Sequence, residues 1–286
     1  MRTFQAFSLS LPVRRQGRRR LIPASILLLS VLACLGQPKS EPGPTPIEPA
    51  EGKKEGRALA AELLAQAPEE DLTNSGLLTI RRPGTKPQAF PVRFKTIVTP
   101  TNWVSTYTVE ASAKGPVKQE LRVIHRNGQP NEYVLITSQA DGSNHVATLS
   151  ENETQKPFAG SDFWLADLGL EFLHWPEQRL LLREMRKGQA CEVLESTNPQ
   201  ADAGYARIVS WLETESPHAI VHADAYDAHG QLLKEFDPKK LKKIQGQYQL
   251  EEMEIRNDKT GGRTLIEFDL QADNQKVEGQ KEGGHR

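Results

Sequence analysis

Apolar and polar side chains alternate one by one over much of this chain, which predicts β-strands with one buried face. In residues 90–95, for example, the apolar Phe90, Val92 and Phe94 are separated by Pro91 and Arg93. A period of two puts every second side chain on the same face of a sheet. The same period recurs in residues 103–110, 120–123 and 264–270. The whole pattern predicts roughly ten or eleven strands.

Connections rich in Asn, Asp and Gly separate the apolar runs and predict tight turns between neighbouring strands. They lie at residues 126–129, 140–143, 227–230 and 257–262. Asn-Gly and Asp-Gly pairs favour hairpin turns, and strands that are joined by short loops pair antiparallel. The predicted fold class is therefore mainly β with few helices, built on an antiparallel sheet.

One aromatic segment, residues 161–175, interrupts the strands and predicts a helix. Either Ser161 or Asp162 suits its N-cap, and Gly169 suits its end. The residues that fall at helical spacing are Phe163, Trp164, Asp167 and Leu168. This segment holds two of the four tryptophans of the chain, and so much apolar area is not left exposed on a soluble domain. We therefore expect the helix to pack on or inside a curved sheet.

Composition divides the chain into a linker, one domain and a tail. Residues 37–56 contain five prolines and no aromatic residue, which predicts an extended linker. A single β domain of residues 57–272 follows, and it opens with a short helix in which Leu59 and Leu63 lie four residues apart. Residues 273–286 are mostly Gly, Lys, Glu and Gln and predict a flexible tail.

The first 36 residues have the pattern of a secretory signal peptide. They contain six arginines and no acidic residue, and their second half is an apolar run that ends in small residues. A single anchoring helix is the alternative, although the run is short for a bilayer span of ~20 residues. We expect the protein to be exported to the periplasm of a bacterium.

Two positions for signal cleavage remain open. Residues 31–34 read Val-Leu-Ala-Cys and resemble a lipobox, in which case Cys34 becomes the lipidated first residue and anchors the protein to a membrane. Ordinary cleavage near Gly36 would instead remove Cys34. Either outcome leaves Cys191 as the only cysteine able to pair, which excludes an internal disulfide. Cys191 is expected to be a small buried side chain.

Charge and motifs exclude several classes of function. The chain has 36 basic and 37 acidic residues, so without the six signal arginines the balance is 30 − 37 = −7. A mildly acidic domain does not favour nucleic acid as a partner. No phosphate-binding glycine loop, Gly-x-Ser-x-Gly elbow, Cys-x-x-Cys or His-Glu-x-x-His motif is present. We expect no catalytic activity and no cofactor.

The best metal candidate in the sequence is His218, His222 and Asp224. On one straight strand these residues span ~20 Å, at ~3.3 Å per residue, which is too far for one ion. We expect solvated residues of an edge strand and no metal site. His174, beside Trp175, suits either a pH switch or the cap of a helix in the core.

Several stretches resemble a family of bacterial envelope proteins called outer-membrane lipoprotein-sorting proteins, a branch of the superfamily of the carrier LolA and the receptor LolB. The resemblance covers about residues 58–270. The stretches that carry it are residues 161–177, 191–195, 205–211, 225–234, 244–248 and 253–255. The resemblance implies an incomplete barrel, in which helices cover the open side of a curved sheet. It also implies that acyl chains or similar apolar ligands bind between the helices and the sheet.

Two main hypotheses for function follow, and an unrecognised enzyme is a third. In the first, a cavity binds a lipid, a lipoprotein acyl chain or another hydrophobic ligand. In the second, the interior is filled and the surface binds other envelope proteins. An open apolar cavity would favour the first. The residues expected to form the plug and to contact the ligand are Phe163, Trp164, Leu168, Phe172, Trp175, Tyr205 and Trp211.

Overall fold

The structure is a computed structural model that describes residues 8–9, 43–110, 118–139, 141–201, 204–244 and 247–270. Cys34, nearly all of the predicted signal peptide and the predicted tail lie outside these residues. Among the described residues, no helix is both long enough and apolar enough to cross a membrane.

Fifteen β-strands lie within the described residues, more than the ten or eleven predicted. They are β1 (Ser8–Leu9), β2 (Thr45–Pro46), β3 (Leu72–Arg81), β4 (Gln88–Val98), β5 (Asn102–Val109), β6 (Gln119–Arg126), β7 (Glu132–Ser138), β8 (Asn144–Leu149), β9 (Glu177–Arg186), β10 (Gln189–Thr197), β11 (Arg207–Glu213), β12 (Ile220–Tyr226), β13 (Leu232–Ile244), β14 (Gln247–Asn257) and β15 (Gly262–Phe268). Two of the additional strands, β1 and β2, have only two residues each and show no alternation that a sequence pattern could reveal.

All pairings between these strands are antiparallel. Along the sheet the order is β2-β9-β10-β11-β12-β13-β14-β15-β3-β4-β5-β6-β7-β8, and β1 adds to β14 off this path. Most neighbours are consecutive in the chain, as the short turns predicted. The main exception is β15, which returns to pair with β3. The end strands β2 and β8 do not pair with each other, so the sheet is open, and the predicted incomplete barrel is confirmed.

The first helix, α1 (Pro49–Leu64), packs on β9 and begins eight residues before the predicted domain boundary at 57. Pro49 occupies the first helical turn, where its missing N–H costs nothing, and the Glu48 carboxylate caps the free N–H groups of Ala50 and Glu51. Gly56 lies so close to β9 that a Cβ there would overlap the backbone of Arg179. The last part of the predicted linker is therefore helical.

The cover segment, residues 157–175, contains less helix than the sequence predicted. Its α-helix α2 (Leu165–Leu168) is a single turn, and a 3₁₀ turn (Glu171–His174) follows. Trp164, rather than Ser161 or Asp162, is the N-cap. Ser161 instead closes a tight turn, in which its Oγ accepts a hydrogen bond from the N–H of Phe163. Gly169 ends α2 as predicted.

Two clusters of buried side chains form the core between the inner face of the sheet and its cover. The first joins β3–β7, β14 and β15 to the first half of the cover segment. The second joins β9–β13 to α1 and to the second half. Cys191 is buried and free, as expected.

Candidate functional site

A cavity of about 530 Å³ lies where α1, the cover segment and the sheet meet. Its wall comes from the C-terminal end of α1, from Trp103 and the β6–β7 turn, from residues 169–174, from the turn before β12, and from β11, β13 and β14. Among its apolar lining residues are Leu63, Leu64, Leu170, Leu173, Leu212, Ile220, Phe236 and Leu250. Its volume falls within the ~300–1,000 Å³ range of ligand pockets.

The cavity exists because the sheet curls. Trp103 on β5 and Ile220 on β12 both line it, although their strands are six steps apart in the sheet order. In a flat sheet, six steps of ~4.8 Å would separate these strands by ~29 Å. Curling brings the two regions to opposite walls of one cavity, and residues 169–174 close a third side.

Hydrogen bonds to β7 and the β6–β7 turn fix residues 169–174 over the cavity. The Asn131 amide donates to the Gly169 carbonyl at 2.9 Å, and the Tyr133 hydroxyl donates to the Glu171 carboxylate at 2.7 Å. Position 169 has no room for a side chain, because a Cβ there would overlap the Tyr133 hydroxyl. Glycine at this position therefore permits the close approach that brings Leu170 and Leu173 to the cavity.

Glu171 is a buried carboxylate beside the cavity whose pKa is strongly raised. Burial raises its pKa to about 7, although the hydrogen bonds from Tyr133 and Asn131 oppose this. The attachment of residues 169–174 therefore depends on a carboxyl group that changes its charge near neutral pH.

Three histidines line the largely apolar wall: His125, His174 and His218. His125 stacks on Trp103, with 4.9 Å between ring centroids, and burial lowers its pKa to about 4. Burial also lowers the pKa of His174. His218 follows β11 in a turn, where its Nδ1 lies 2.9 Å from the Glu213 carbonyl and its Nε2 lies 3.4 Å from Glu62 on α1.

None of the seven residues that the sequence singled out for the plug and the ligand lines this cavity. Phe163 and Leu168 belong to the first core cluster, whereas Phe172, Trp175 and Tyr205 belong to the second. Trp211 lies on the outer face of the sheet, where it stacks beneath Arg186. Any contact between these residues and a ligand stays a prediction.

Trp164 and Tyr205 instead pack against the buried Lys234. Their rings stack with centroids 4.3 Å apart, and the Lys234 ammonium lies 3.7 Å from the Trp164 ring centroid. Asp167 pairs with Lys234 at 3.4 Å and accepts a hydrogen bond from the Tyr205 hydroxyl at 3.2 Å. Burial lowers the pKa of Lys234 to about 8, against the opposing effect of Asp167. This group fastens the cover segment to β13.

The histidine on β12 is not a solvated edge residue, and that prediction is wrong. His222 is buried on a strand with neighbours on both sides, and its ring nitrogens lie 2.7 Å from Asp224 and 2.7 Å from Asp237. Burial lowers the pKa of His222, but the hydrogen bonds to the two carboxylates outweigh it and the net shift is upward. The arrangement suits an imidazolium held between two carboxylates.

Within the described residues, the group with a spacing that suits a metal ion is His222, Asp224 and Glu235, a different set from the one in the sequence analysis. His218 is excluded because it lies in the turn before β12. Asp224 lies 2.7 Å from His222, and Glu235 pairs with Arg256 at 3.9 Å. Carboxylates that already balance a histidine and an arginine give a cation little to bind.

Solved structures confirm the LolA-like fold that the sequence resemblance implied. A DUF1329 family protein from Desulfovibrio piger matches with a TM-score of 0.63 and 20% identity, over 77% of this chain and 92% of that one. A domain from Vibrio parahaemolyticus named for outer membrane lipoprotein sorting matches with a TM-score of 0.63 and 19% identity, over 76% and 91%. A LolA superfamily protein from Nitrosomonas europaea matches with a TM-score of 0.53 and 15% identity, over 76% of this chain and 91% of that one.

A family model described as that of an uncharacterized protein matches residues 141–278, which include the cover segment and β9–β15. No curated protein matches this chain. At these identities the structural matches show the fold alone, so the function rests on the site itself.

Proposed function

We propose that this protein binds a hydrophobic ligand, a lipid or the acyl chain of a lipoprotein, in the cavity beneath residues 169–174. The observation that carries the proposal is the cavity itself, which is largely apolar, about 530 Å³ in volume and walled by separate parts of a curled sheet. A site of this kind suits an apolar chain, because burial of that chain is the main source of affinity. The names of the Vibrio and Nitrosomonas neighbours are consistent with this class of ligand.

The proposal places the protein in the bacterial envelope as a binding protein without a catalytic step. None of the three neighbours is named for a catalytic activity. The arginine-rich start and the apolar run after it support export, and Cys34 supports a lipid anchor. An anchored binding protein would present its cavity near a membrane, where its ligand is found.

The anchor is tested with Cys34→Ser. We expect the parent protein to incorporate labelled fatty acid and to sediment with membranes, and the variant to lose both properties while it is still exported. A mature N-terminus beyond Cys34, together with identical fractionation of the two proteins, would contradict lipidation and leave the cavity proposal untouched.

Ligand binding is tested by placing a bulkier side chain in the cavity wall. Leu64 lines it, whereas Leu265 is a half-buried leucine of β15 that does not. Thermal unfolding is measured with a rising concentration of a fatty acid or a diacylated peptide below its micelle concentration. We expect the midpoint of the parent to rise, because a ligand at a hundredfold excess over Kd stabilises by ~2.7 kcal/mol. Leu64→Trp should abolish the rise and Leu265→Trp should keep it.

A flat midpoint for the parent across several acyl ligands would favour the second hypothesis, that of an envelope protein whose surface binds other proteins. An equal rise in all three proteins would mean that the ligand binds outside the cavity. Either result would contradict the proposed site.

A further inference from the structure

The two ends of the sheet are protected to different degrees. At one end, β9 carries five charged residues, residues 45–47 bond to its outer side, and α1 packs on it. At the other end lies β8, and no strand within the described ranges pairs with its outer side. Proteins protect such edges with charges, prolines or bulges, because an open edge can pair with another chain. β8 contains no acidic residue, lysine, arginine or proline, and it pairs with β7 without a register shift.

The hydrogen bonds at the β7–β8 turn show which main-chain groups of β8 face the open edge. In an antiparallel pair, a residue directs its N–H and its C=O to the same side, and consecutive residues alternate between the two sides. The Gln139 N–H donates to the Ser143 carbonyl at 2.7 Å. In steps of two from this pair, His145 and Ala147 bond to β7. The residues whose main-chain groups point to the open edge are Asn144, Val146 and Thr148.

The side chains of β8 suit a second copy of the same strand. Val146 is 61% exposed and lies opposite Ile136 of β7, on the face away from the core. When two β8 strands pair antiparallel about a twofold axis at Val146, this residue meets itself. The apolar row of Ile136 and Val146 then continues into the same row of the second copy. Such β-branched pairs stabilise neighbouring strands.

Symmetry and charge favour a closed pair of copies. With the axis at Val146, Asn144 lies opposite Thr148 on both sides of it, so every outward main-chain group of residues 144–148 gains a partner. Like charges that face each other across strands repel, and β8 has no acidic residue, lysine or arginine to do so. A head-to-tail row of copies would need the outer side of β9, which residues 45–47 occupy. A contact between identical surfaces closes at two copies.

We propose that two copies of this protein associate through β8, with Val146 of one copy opposite Val146 of the second, and form one continuous antiparallel sheet. The association does not depend on a ligand in the cavity, so it can be tested independently of the proposed function. Residues 144–148 make a small contact, and the dimer is therefore reversible and weaker than one with an interface of ordinary size.

Self-association is measured by analytical ultracentrifugation at concentrations up to the millimolar range. We expect a reversible shift from one copy to two. Val146→Pro removes an N–H that points to the open edge and keeps the bonds to β7, and Val146→Lys sets two like charges opposite each other. Each should weaken the dimer by about tenfold or more. Leu77→Lys, at an exposed leucine of β3, a strand with neighbours on both sides, should leave it unchanged.

The register is tested by disulfide crosslinking in a Cys34→Ser background, where the buried Cys191 is the other cysteine of the chain. Val146→Cys should crosslink two copies, because the Cα atoms of a hydrogen-bonded antiparallel pair lie ~5.5 Å apart, within reach of a disulfide. Asn144→Cys alone should not crosslink, since its own copy lies ~13 Å away along the strand. A mixture of Asn144→Cys with Thr148→Cys should crosslink the two variants to each other.

Several outcomes would overturn the proposal. One is a protein that stays a single copy at every concentration, and another is an association that Val146→Lys leaves intact. Crosslinking of Val146→Cys to a different envelope protein, or equal crosslinking of Leu77→Cys, would also do so. Circular dichroism and thermal unfolding of both Val146 variants should match those of the parent, so that a lost dimer is not mistaken for a lost fold. If Val146→Pro fails to fold, Val146→Lys decides.

Discussion

The two halves of the cover segment, residues 157–168 and 169–174, lie on the same sheet but pack against it differently. In residues 157–168 the side chains of Phe158, Phe163 and Leu165 are at most 1% exposed and fill the space beneath them. In residues 169–174 the chain presents Leu170, Leu173 and His174 to a cavity. The first half is therefore an anchor, and the second half is the part that borders the cavity.

The two halves also differ in how their carboxylates are held. Asp162 in the first half pairs with Arg82 and accepts a hydrogen bond from Thr264, and Asp167 pairs with Lys234. Glu171 in the second half has hydrogen-bond donors but no cation partner in the described structure. The carboxylates of the first half are thus balanced by cations. The charge of the second half depends instead on whether Glu171 is protonated.

The largest expected difference between the halves is in stability. Phe163→Ala should lower the free energy of unfolding by about 3–5 kcal/mol, because it leaves a void in a filled core. Leu170→Ala should cost less than about 1 kcal/mol, because Leu170 is only half-buried and faces space that already exists. Urea unfolding of both variants checks this. Equal losses would contradict the division into anchor and ligand-facing halves.

A smaller effect on the free energy of unfolding should follow from the titration of Glu171 in the second half. The pKa of Glu171 is raised to about 7 in the folded protein from an ordinary 4.5. The folded state then holds more protons than the unfolded state between these values, so the free energy of unfolding falls as pH rises from about 4.5 to 7. The contribution is on the order of 2–3 kcal/mol.

Glu171→Gln should remove this fall. Unfolding free energies of the variant and the parent are compared between pH 4.5 and pH 8, and their difference isolates Glu171 from the other titrating groups. Glu177→Gln, an exposed change just beyond the cover segment, controls for the loss of one carboxylate. A variant whose pH profile runs parallel to that of the parent would show that Glu171 stays ionised throughout.

The smallest expected effect concerns the junction between the halves. Gly169→Ala places a Cβ against the Tyr133 hydroxyl, at the end of a rigid and buried ring, and should cost about 1–3 kcal/mol. Gly43→Ala, where nothing lies within 4 Å, should cost almost nothing. The reverse order in thermal unfolding would mean that the cover segment adapts freely at position 169.

Most of the fold could be predicted from the sequence, because a half-buried antiparallel strand leaves a period of two in its residues. Phe90, Val92 and Phe94 alternate in the sequence and are all buried on β4. The length of the helix in the cover segment could not be predicted in this way. Helical spacing does not show that Asp162 turns towards Arg82 and Thr264, and these contacts hold it outside α2, which begins only at Leu165.

The candidate site was harder to predict, because a cavity belongs to no single segment. The sequence pointed to residues 161–175, part of which borders the cavity, but aromatic content favoured Phe163 and Trp164, which do not line it. The cavity depends instead on the curl of the sheet, which brings the β6–β7 turn and α1 together. Similarly, burial of His222 between Asp224 and Asp237 depends on the pairing of β12 with β13, which lies outside any local pattern.

The most direct test of the central claim is native mass spectrometry of the protein purified from the bacterial envelope without delipidation. We expect the parent and the Leu265→Trp control to carry one additional mass in the range of a single lipid or acyl amphiphile. Leu64→Trp, which places a bulkier side chain in the cavity wall, should lack it. A parent protein without any bound mass, or a mass that Leu64→Trp retains in full, would contradict a ligand-binding cavity beneath residues 169–174.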